Sequence, residues 1–322
     1  MKKIIITGAS GLVGTELIYT ILNGSKHSLF LVSTHPDALA EKYKGNSRIK
    51  CLSIDELEGQ TDNEFDCIVH LAFARSKDPE QLAKAIDYTQ RILNIAKHIK
   101  IRTYINISSQ SIYGEIHKPM WREDYPAAPN YLYALGKYGT EKMTQLAFEG
   151  TETNWTNIRL ASVCENARFV NVFVRNIIEG LPIHIVGGAQ MVSFIDVRDV
   201  ATALFQTIEM SDSIIFKDAY NLGTGKQDSI VKIAELVNKI GNEEYNLPLI
   251  NVEIEHKDIH LNVGMDNSLF SEEFNWKPQY DINDMIRAMF NIHMGGVIPE
   301  SFNVSFRTIL TLNRAFTSFV TR

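Results

Sequence analysis

The feature that most constrains this chain is a glycine-rich loop, Gly8-Ala9-Ser10-Gly11-Leu12-Val13-Gly14, which directly follows the apolar run Lys3–Thr7. The run is predicted to be a buried strand, and the residues after the loop a helix. Gly8 allows a tight turn, Gly11 lets backbone N–H groups approach a pyrophosphate, and Gly14 lets the helix pack close to the strand. The helix N-terminus adds free N–H groups and a positive dipole end. The loop therefore predicts a dinucleotide site, whose residues are Gly8, Ser10, Gly11, Leu12, Val13 and Gly14.

The first half of the chain alternates short, apolar, β-branched runs with amphipathic segments. Continuous apolar runs are typical of strands that are buried on both faces of a parallel sheet. The clearest helical pattern extends from Gln81 to Lys97, where apolar residues recur at helical spacing. This alternation predicts an α/β fold: a doubly wound parallel sheet of the Rossmann type, with a smaller, mostly C-terminal α/β substrate lobe. Strands are predicted at 4–6, 29–32, 67–69 and 104–107.

In the second half of the chain, strand-like and helical segments alternate less regularly, which indicates a second, smaller lobe. Residues 1–165 are expected to form the dinucleotide-binding domain, to which about 190–225 also contribute, and 166–300 a smaller lobe interleaved with it. Helices are predicted at 130–149, 167–179, 197–209 and 229–240, and strands at 184–187 and 250–255. The tail 301–322 has several Phe and Arg residues and no acid. It is interpreted either as a basic amphipathic segment for a membrane surface or partner enzyme, or as a terminal helix packed on its own protein or a dimer mate.

The composition argues against several classes of protein. A formal net charge of −6 disfavours nucleic acid as a partner, because phosphate binding needs a basic face. No apolar stretch approaches the roughly 18 residues of a membrane span. The early first strand leads us to expect no signal peptide. The cytoplasm is therefore the expected location. Cys51, Cys67 and Cys164 are scattered in apolar surroundings and are predicted to be free thiols, and no metal is expected because no Cys/His cluster has ligand spacing.

Tyr133 and Lys137 are four residues apart on a predicted helix, so their side chains share a face. A free phenol has a pKa of about 10 and is a poor base at neutral pH. A nearby ammonium, together with a positive nicotinamide ring, is expected to favour the phenolate and lower that pKa. The segment 107–114 contains three serines at the end of another predicted strand, where ligands of open α/β sheets bind.

The end of the second predicted strand bears on the identity of the cofactor. The acid that grips the ribose 2′-hydroxyl of NAD is expected there, about 20 residues beyond the loop. The chain reads Val32-Ser33-Thr34-His35, with no carboxylate and no arginine. Ser33 and Thr34 are candidates to bond either a hydroxyl or a phosphate, so NAD and NADP both stay open, with NAD slightly favoured.

Taken together, these segments resemble the NAD-dependent epimerase/dehydratase family, the extended short-chain dehydrogenases/reductases that process nucleotide sugars. The resemblance covers about residues 3 to 292 in consistent order. The segments that carry it are Gly8–Gly14, His70-Leu71-Ala72, Ser108–Gly114, Tyr133–Lys137, Ile158-Arg159-Leu160, Ile195–Ala201, Tyr220–Gly223 and Phe274–Pro278.

The resemblance implies a role for each residue of the site. Ser109 is expected to hydrogen-bond the reacting oxygen, with Ser111 as second choice, and Tyr133 to be the general acid/base. Lys137 is expected to hold the nicotinamide ribose and to tune Tyr133. Further implied cofactor contacts are Ile54, Leu71 and Ala72, and the implied substrate contacts are Ser109, Ser111 and Ser162. A homodimer through the helices at 79–100 and 130–149 is also implied.

The departures from the family pattern narrow the chemistry. Dehydratases of the family have an Asp-Glu pair directly after the catalytic Ser/Thr, where this chain has Gln110 and Ser111. The Cys of the 3,5-epimerising reductases at the position of Gln110, and the Glu of the decarboxylases near Ser111, are also missing. Arginines that often hold a diphosphate are absent from 191–194, and 256–260 contain only His and Lys as cationic candidates. The substrate is therefore a nucleotide sugar bound differently, or not a nucleotide sugar.

Three functions are consistent with the family resemblance and with these departures from its pattern. The first is a nucleotide-sugar epimerase that transiently oxidises a secondary hydroxyl, which the Ser109, Tyr133 and Lys137 set favours. The second is an NAD(P)-dependent reductase or dehydrogenase of a non-standard substrate, which the missing arginines and ribose acid favour. The third is a non-catalytic NAD(P)-binding sensor, since a fold alone does not establish a function.

Overall fold

The computed structural model describes residues 1–60, 64–116 and 118–295 of the chain. Within these ranges the strands are β1 Lys3–Thr7, β2 Ser28–Val32, β3 Ile49–Leu52, β4 Cys67–His70, β5 Thr103–Ser109, β6 Asn154–Leu160, β7 Ser162–Val163, β8 Ile183–Val186, β9 Met191–Val192, β10 Phe194–Ile195, β11 Ala219–Leu222, β12 Asp228–Ser229 and β13 Val252–Glu255. The helices are α1 Leu12–Gly24, α2 Pro36–Lys42, α3 Ile54–Glu58, α4 Pro79–His98, α5 Leu132–Phe148, α6 Arg168–Glu179, α7 Val197–Met210, α8 Ile230–Tyr245, α9 Ser268–Glu273 and α10 Ile282–His293. Short 3₁₀ turns occupy Gln110–Tyr113 and Cys164–Asn166.

Seven strands form one parallel sheet in the spatial order β11-β6-β5-β4-β1-β2-β3. From β1 the chain moves outward through β2 to β3, then crosses back to β4 and continues outward on the other side. The order of the strands therefore reverses between β1 and β4. In open α/β sheets, ligands bind beyond the carboxyl ends of the strands at such a reversal. The predicted doubly wound sheet is confirmed, and its topology places the ligand crevice after Thr7 and His70.

The sheet is buried on both faces, as the apolar runs predict. Ile4 and Ile6 belong to a hydrophobic cluster with α1 and α7, whereas Ile5 belongs to a cluster on the opposite face with residues of α4. Successive side chains of a strand point to opposite faces, so a strand between two helical layers must be apolar at every position. All three isoleucines are 0% exposed, which explains why β1 reads as a continuous apolar run rather than an alternating one.

A smaller α/β lobe accounts for much of the C-terminal part that the structure describes. Its helices α6, α8 and α10 share a separate hydrophobic cluster, which includes Val174, Val237 and Phe290. The parallel pair of β8 and β13 packs beside them. These elements lie close to the helices and strands predicted at 167–179, 184–187, 229–240 and 250–255. The tail 301–322 lies outside the described residues.

The sheet strands β6 and β11 and the helix α10 were not predicted; polar residues such as Asn157 and Asn221 interrupt the apolar runs of the two strands. The edge strand β3 and the helices α2 and α3 were not predicted either. The strand lies at the edge of the sheet and is only partly buried, so it lacks the continuous apolar run that identified the central strands. The two helices have seven and five residues, which is too short for a clear amphipathic period. Among the described residues, none of the helices has both the length and the apolarity to cross a bilayer.

A buried ion pair attaches α5 to the sheet. Arg159 on β6 donates two hydrogen bonds to the Glu141 carboxylate, at 3.2 and 3.0 Å, and both side chains are about nine-tenths buried. Arg159 also donates to the hydroxyl oxygen of Tyr113 at 2.8 Å, and that hydroxyl donates to Asn221 Oδ1 at 2.7 Å. Because Glu141 lies one turn after Lys137 on α5, this network positions the part of α5 that carries the predicted catalytic residues.

Candidate active site

The glycine loop has the tight geometry that the sequence predicts. Gly8 has a φ of +68°, and the N–H of Gly11 donates to the Gly8 carbonyl oxygen at 3.0 Å. A Cβ at Gly8 would lie 2.9 Å from the Ala72 nitrogen, and one at Gly14 would lie 2.4 Å from the Gly8 oxygen. No side chain in the described part of the chain caps the N-terminus of α1. The loop therefore brings backbone N–H groups close to the crevice, and its geometry fits a bound pyrophosphate.

Two adjoining cavities extend from this loop. The smaller, which we call the adenosine-side cavity, has a volume of about 480 Å³ and includes the predicted residues Gly8, Ser10, Ser33, Thr34 and Ala72 in its wall. The larger, which we call the catalytic cavity, has a volume of about 930 Å³. Its predicted residues are Gly8, Gly11, Leu12, Val13, Gly14, Leu71, Ser109, Ser111, Tyr133, Lys137 and Ser162.

The predicted site residues are thus gathered around one continuous crevice, with one exception. Ile54 lines neither cavity; it opens α3 and packs against the hydrophobic cluster on the α4 face of the sheet. Its assignment as a cofactor contact stays a prediction. Gly8 and Phe73 line both cavities, so the crevice passes over the glycine loop from one to the other, as an extended dinucleotide would.

Ser109, Tyr133 and Lys137 come together at one wall of the catalytic cavity. Ser109 ends β5, whereas Tyr133 and Lys137 lie one turn apart near the start of α5. Tyr133 is hydrogen-bonded to Ser109. Lys137 Nζ donates to the carbonyl oxygen of Ile107 at 2.6 Å, and the Lys137 residue is only 5% exposed. A hydroxyl, a phenol and an amine therefore lie side by side where the strands end, an arrangement suited to proton exchange with a substrate hydroxyl.

The pKa of Tyr133 was expected to be lowered, but the protein's own residues on balance raise it. Burial raises the pKa of Tyr133, and the Arg75 guanidinium and the hydrogen bond with Ser109 only partly oppose it. Lys137 was expected to lower that pKa, but burial lowers the pKa of Lys137 itself to about 7, against the opposing attraction of Glu141. An ammonium that loses part of its charge at neutral pH is a weaker source of the positive potential that favours a phenolate. Arg75 supplies part of that potential instead.

Of the two serine candidates, the geometry favours Ser109. Its hydroxyl oxygen accepts from the Ser111 backbone N–H at 3.2 Å and is within reach of the Tyr133 phenol. The Ser111 hydroxyl is enclosed and has no hydrogen-bond partner in the part of the chain that the structure describes. Gln110 Nε2 donates to Ser162 Oγ at 3.0 Å, which links the third substrate candidate to the same turn.

Four residues of the β4–α4 loop that line the catalytic cavity were not predicted from the sequence: Phe73, Arg75, Ser76 and Lys77. Their position directly after His70-Leu71-Ala72 was the available signal, because this loop must border the crevice. In the C-terminal lobe, His256 and His260 are exposed and line neither cavity. The positive charge near Tyr133 therefore comes from the β4–α4 loop rather than from that lobe.

Comparison with known proteins agrees with this geometry. The model of the NAD dependent epimerase/dehydratase family matches residues 4–223. The chain belongs to this family. Its relatives include the low-salt glycan biosynthesis protein Agl12 of Haloferax volcanii (22% identical, 91% of this chain and 98% of the relative covered). They also include a dTDP-glucose 4,6-dehydratase of an Actinoplanes species, which is 22% identical, with 88% of this chain and 95% of the relative covered. The structure of UDP-glucuronic acid 4-epimerase from Bacillus cereus superimposes with a TM-score of 0.76 at 21% identity, covering 92% of this chain and 98% of that one. Members of the family with such different reactions share this fold, so the residues of the site have to decide the chemistry.

Proposed function

We propose that this family member is an NAD(P)-dependent nucleotide-sugar epimerase that transiently oxidises a secondary hydroxyl. The observation that carries the proposal is the Ser109, Tyr133 and Lys137 set at one wall of the catalytic cavity, beside the glycine loop. Among the described residues, the lining of this cavity contains neither Asp nor Glu. A site without an additional acid can exchange one hydroxyl proton but has no group to expel water from the neighbouring carbon.

Each residue has a distinct task in this reaction. Ser109 holds the substrate hydroxyl by a hydrogen bond, and Tyr133 takes its proton during oxidation and returns it during reduction. Lys137 orients the cofactor at its ribose and supports the phenolate. The cofactor, when bound, provides a reversible hydride acceptor. Gly8, Gly11 and Gly14 would hold its pyrophosphate, and Ser33 and Thr34 its adenosine ribose, through contacts that suit NAD or NADP.

The nucleotide sugar as substrate class is supported by the relatives rather than by a contact in the cavity. The B. cereus structure is that of a UDP-glucuronic acid 4-epimerase, and the Actinoplanes relative is a dTDP-glucose 4,6-dehydratase. Arg75 and Lys77 give the mouth of the catalytic cavity a positive charge that suits a diphosphate. These two cationic residues can partly replace the diphosphate-binding arginines that the family often has and this chain lacks.

A net reductase is the second candidate, and one observation favours it. The lining of the adenosine-side cavity includes no carboxylate in the described part of the chain, and its one cationic residue there, Lys84, is ion-paired with Glu80 at 2.8 Å. An acid at this place selects NAD by bonding the 2′-hydroxyl, and it repels the 2′-phosphate of NADP. Its absence leaves NADPH, the usual reductant of biosynthetic reductions, as an acceptable cofactor.

An NMR time course of the purified enzyme separates the two candidates. The enzyme is incubated with NAD and, in turn, with UDP-, dTDP-, GDP- and CDP-sugars, while absorbance at 340 nm is recorded. An epimer that appears without net formation of NADH supports the epimerase and identifies the nucleotide. Net formation of NADH without an epimer would instead establish a dehydrogenase. Stoichiometric consumption of NADPH in a parallel incubation with the corresponding 4-keto nucleotide sugars would establish the reductase.

We further propose that the protein is located in the cytoplasm. We also propose that it forms a homodimer through α4 and α5. The two helices pack against each other, and α5 carries the exposed apolar side chains of Leu135 and Leu146, which are 52% and 79% exposed. Apolar residues spaced along one exposed helix are suited to a partner helix. Light scattering coupled to size exclusion tests this: Leu146→Asp is expected to give a monomer from a wild-type dimer. A wild-type protein that elutes with the mass of a single chain contradicts the proposal.

A further inference from the structure

The aromatic ring of Phe73 lies where the two cavities meet. Phe73 follows Ala72 in the β4–α4 loop and lines both cavities. The centre of its ring lies 4.5 Å from Lys137 Nζ and 5.9 Å from the centre of the Tyr133 ring, with the two ring planes at 68°. A single side chain from the β4–α4 loop thus touches both catalytic candidates of α5.

A glycine on α5 provides the space for this ring. A Cβ at Gly136 would lie 2.9 Å from Phe73 Cζ and 2.4 Å from Leu82 Cδ1 on α4. Gly136 is inside a helix, where its backbone needs no glycine and where alanine is the better helix former. The absence of a side chain at position 136 therefore serves packing: it opens a notch between α4 and α5 that the tip of the Phe73 ring enters.

The ring covers the amine that the cofactor is expected to contact. Lys137 Nζ lies over the Phe73 ring, 4.5 Å from its centre, and donates to the Ile107 carbonyl oxygen at 2.6 Å. A cation within about 6 Å of a ring centre is attracted by the negative face of the ring. The ring also excludes water from that side of the ammonium, and the two effects together restrict where Nζ can be.

The other ionisable groups around Lys137 do not provide this cover. Glu141, one turn later on α5, is already bound in the ion pair with Arg159. His70, at the end of β4, has its pKa lowered to about 3 by burial and stays neutral near pH 7. Tyr133, one turn earlier on α5, has its pKa raised by burial and is a neutral phenol there. The low pKa of Lys137, about 7, is caused by burial, to which the Phe73 ring contributes directly.

We propose that Phe73 is a positioning residue for Lys137: seated in the Gly136 notch, its ring holds the ammonium against β5 and keeps water away from it. The inference rests on the role proposed above for Lys137. It makes the affinity for the cofactor sensitive to pH near neutrality. A protonated Lys137 attracts the anionic dinucleotide, so binding is tightest below the pKa of Lys137 and weakens as the pH rises through it. Without the ring, water reaches Nζ, the pKa rises toward its ordinary value of about 10.4, and the charge persists across the neutral range.

Calorimetric titration with NAD⁺ and NADP⁺ between pH 6 and pH 9 tests the inference. For the wild type, the Kd of the tighter dinucleotide is expected to rise by about tenfold or more over this range, because each pH unit above a linked pKa can weaken binding up to tenfold. Phe73→Ala is expected to bind with a nearly constant Kd. Phe73→Leu keeps an apolar cover over Nζ and should retain the wild-type slope, whereas Lys137→Met should abolish it.

Gly136→Ala is the sharpest variant, because it changes no polar group. Its new Cβ displaces both the Leu82 side chain and the Phe73 ring. It should reproduce the flat profile of Phe73→Ala, and the double variant should add nothing further, whereas Leu82→Ala, which leaves the ring in the notch, should keep the wild-type slope. Retention of the wild-type slope by both Phe73→Ala and Gly136→Ala would overturn the proposal. Thermal unfolding confirms that each variant is folded. Since the titration contains no sugar, its outcome does not depend on whether Ser109 and Tyr133 perform an epimerisation.

Discussion

Lys137 on α5 and Ile107 on β5 are joined by a hydrogen bond of 2.6 Å from the lysine Nζ to the backbone carbonyl oxygen. This bond connects the helix that carries Tyr133 with the strand that ends at Ser109. It therefore sets the distance between a phenol and a hydroxyl that belong to distant parts of the sequence.

Replacing Tyr133 by Phe removes the proposed proton acceptor and leaves the rest of the wall intact. We expect turnover to fall by about 10²–10⁴-fold, the range that general acid–base groups contribute, while the Kd for the dinucleotide changes little. Turnover is measured on the substrate identified by NMR, and the Kd by calorimetry. Turnover in Tyr133→Phe equal to that of the wild type would refute the proposed mechanism.

Arg75 is predicted to shift the pH dependence of the reaction. Its positive charge opposes the burial that raises the pKa of Tyr133, so Arg75→Ala should raise that pKa further. A base with a higher pKa is deprotonated only at higher pH, and the rising acidic limb of kcat/KM should move to higher pH. Arg75→Lys keeps the charge and is the matched control. A profile of Arg75→Ala that coincides with the wild type would contradict the electrostatic role.

The buried ion pair between Arg159 and Glu141 is predicted to be essential for stability. Arg159→Ala leaves a buried carboxylate without its partner, which typically costs about 3–5 kcal/mol in the free energy of unfolding. Lys44→Ala, which removes an exposed ion pair with Glu41, should cost about 1 kcal/mol or less. Urea denaturation measures both. Similar losses for the two variants would show that the network is dispensable.

Gly14→Ala should abolish dinucleotide binding with only a moderate loss of stability. The added Cβ would lie 2.4 Å from the Gly8 carbonyl oxygen, so the start of α1 has to move away from the loop that holds the pyrophosphate. Gly139→Ala on α5 is the control, because nothing lies within 4 Å of the new Cβ. Calorimetry with NAD⁺ compares the two; unchanged binding by Gly14→Ala would exclude the loop as the pyrophosphate site.

Much of this fold was predictable from local patterns. Ile4, Ile5 and Ile6 are all apolar because the sheet has helices on both faces. Glycine is required at positions 8 and 14, because a Cβ there would lie 2.9 Å from the Ala72 nitrogen and 2.4 Å from the Gly8 oxygen. The helical patterns likewise predicted α4, α5, α6, α7 and α8, whereas α10 and the sheet strands β6 and β11 were not predicted. The edge strand β3 and the short helices α2 and α3 escaped prediction, since partial burial and short length leave no clear period.

The features of the site likewise fall into those that the local sequence predicts and those that only the tertiary structure sets. The sequence by itself determined the glycine loop, the one-turn spacing of Tyr133 and Lys137, and the serines at the end of a strand, because these depend on residues that are close along the chain. The family resemblance already favoured Ser109 over Ser111, and the tertiary structure puts Ser109 in hydrogen-bond contact with Tyr133. Only the tertiary structure decided that Arg75 acts on the same phenol and that Phe73 enters a notch at Gly136 to cover Lys137. These relationships, and the pKa values that follow from burial, arise from contacts between distant segments, and local spacing carries no information about them.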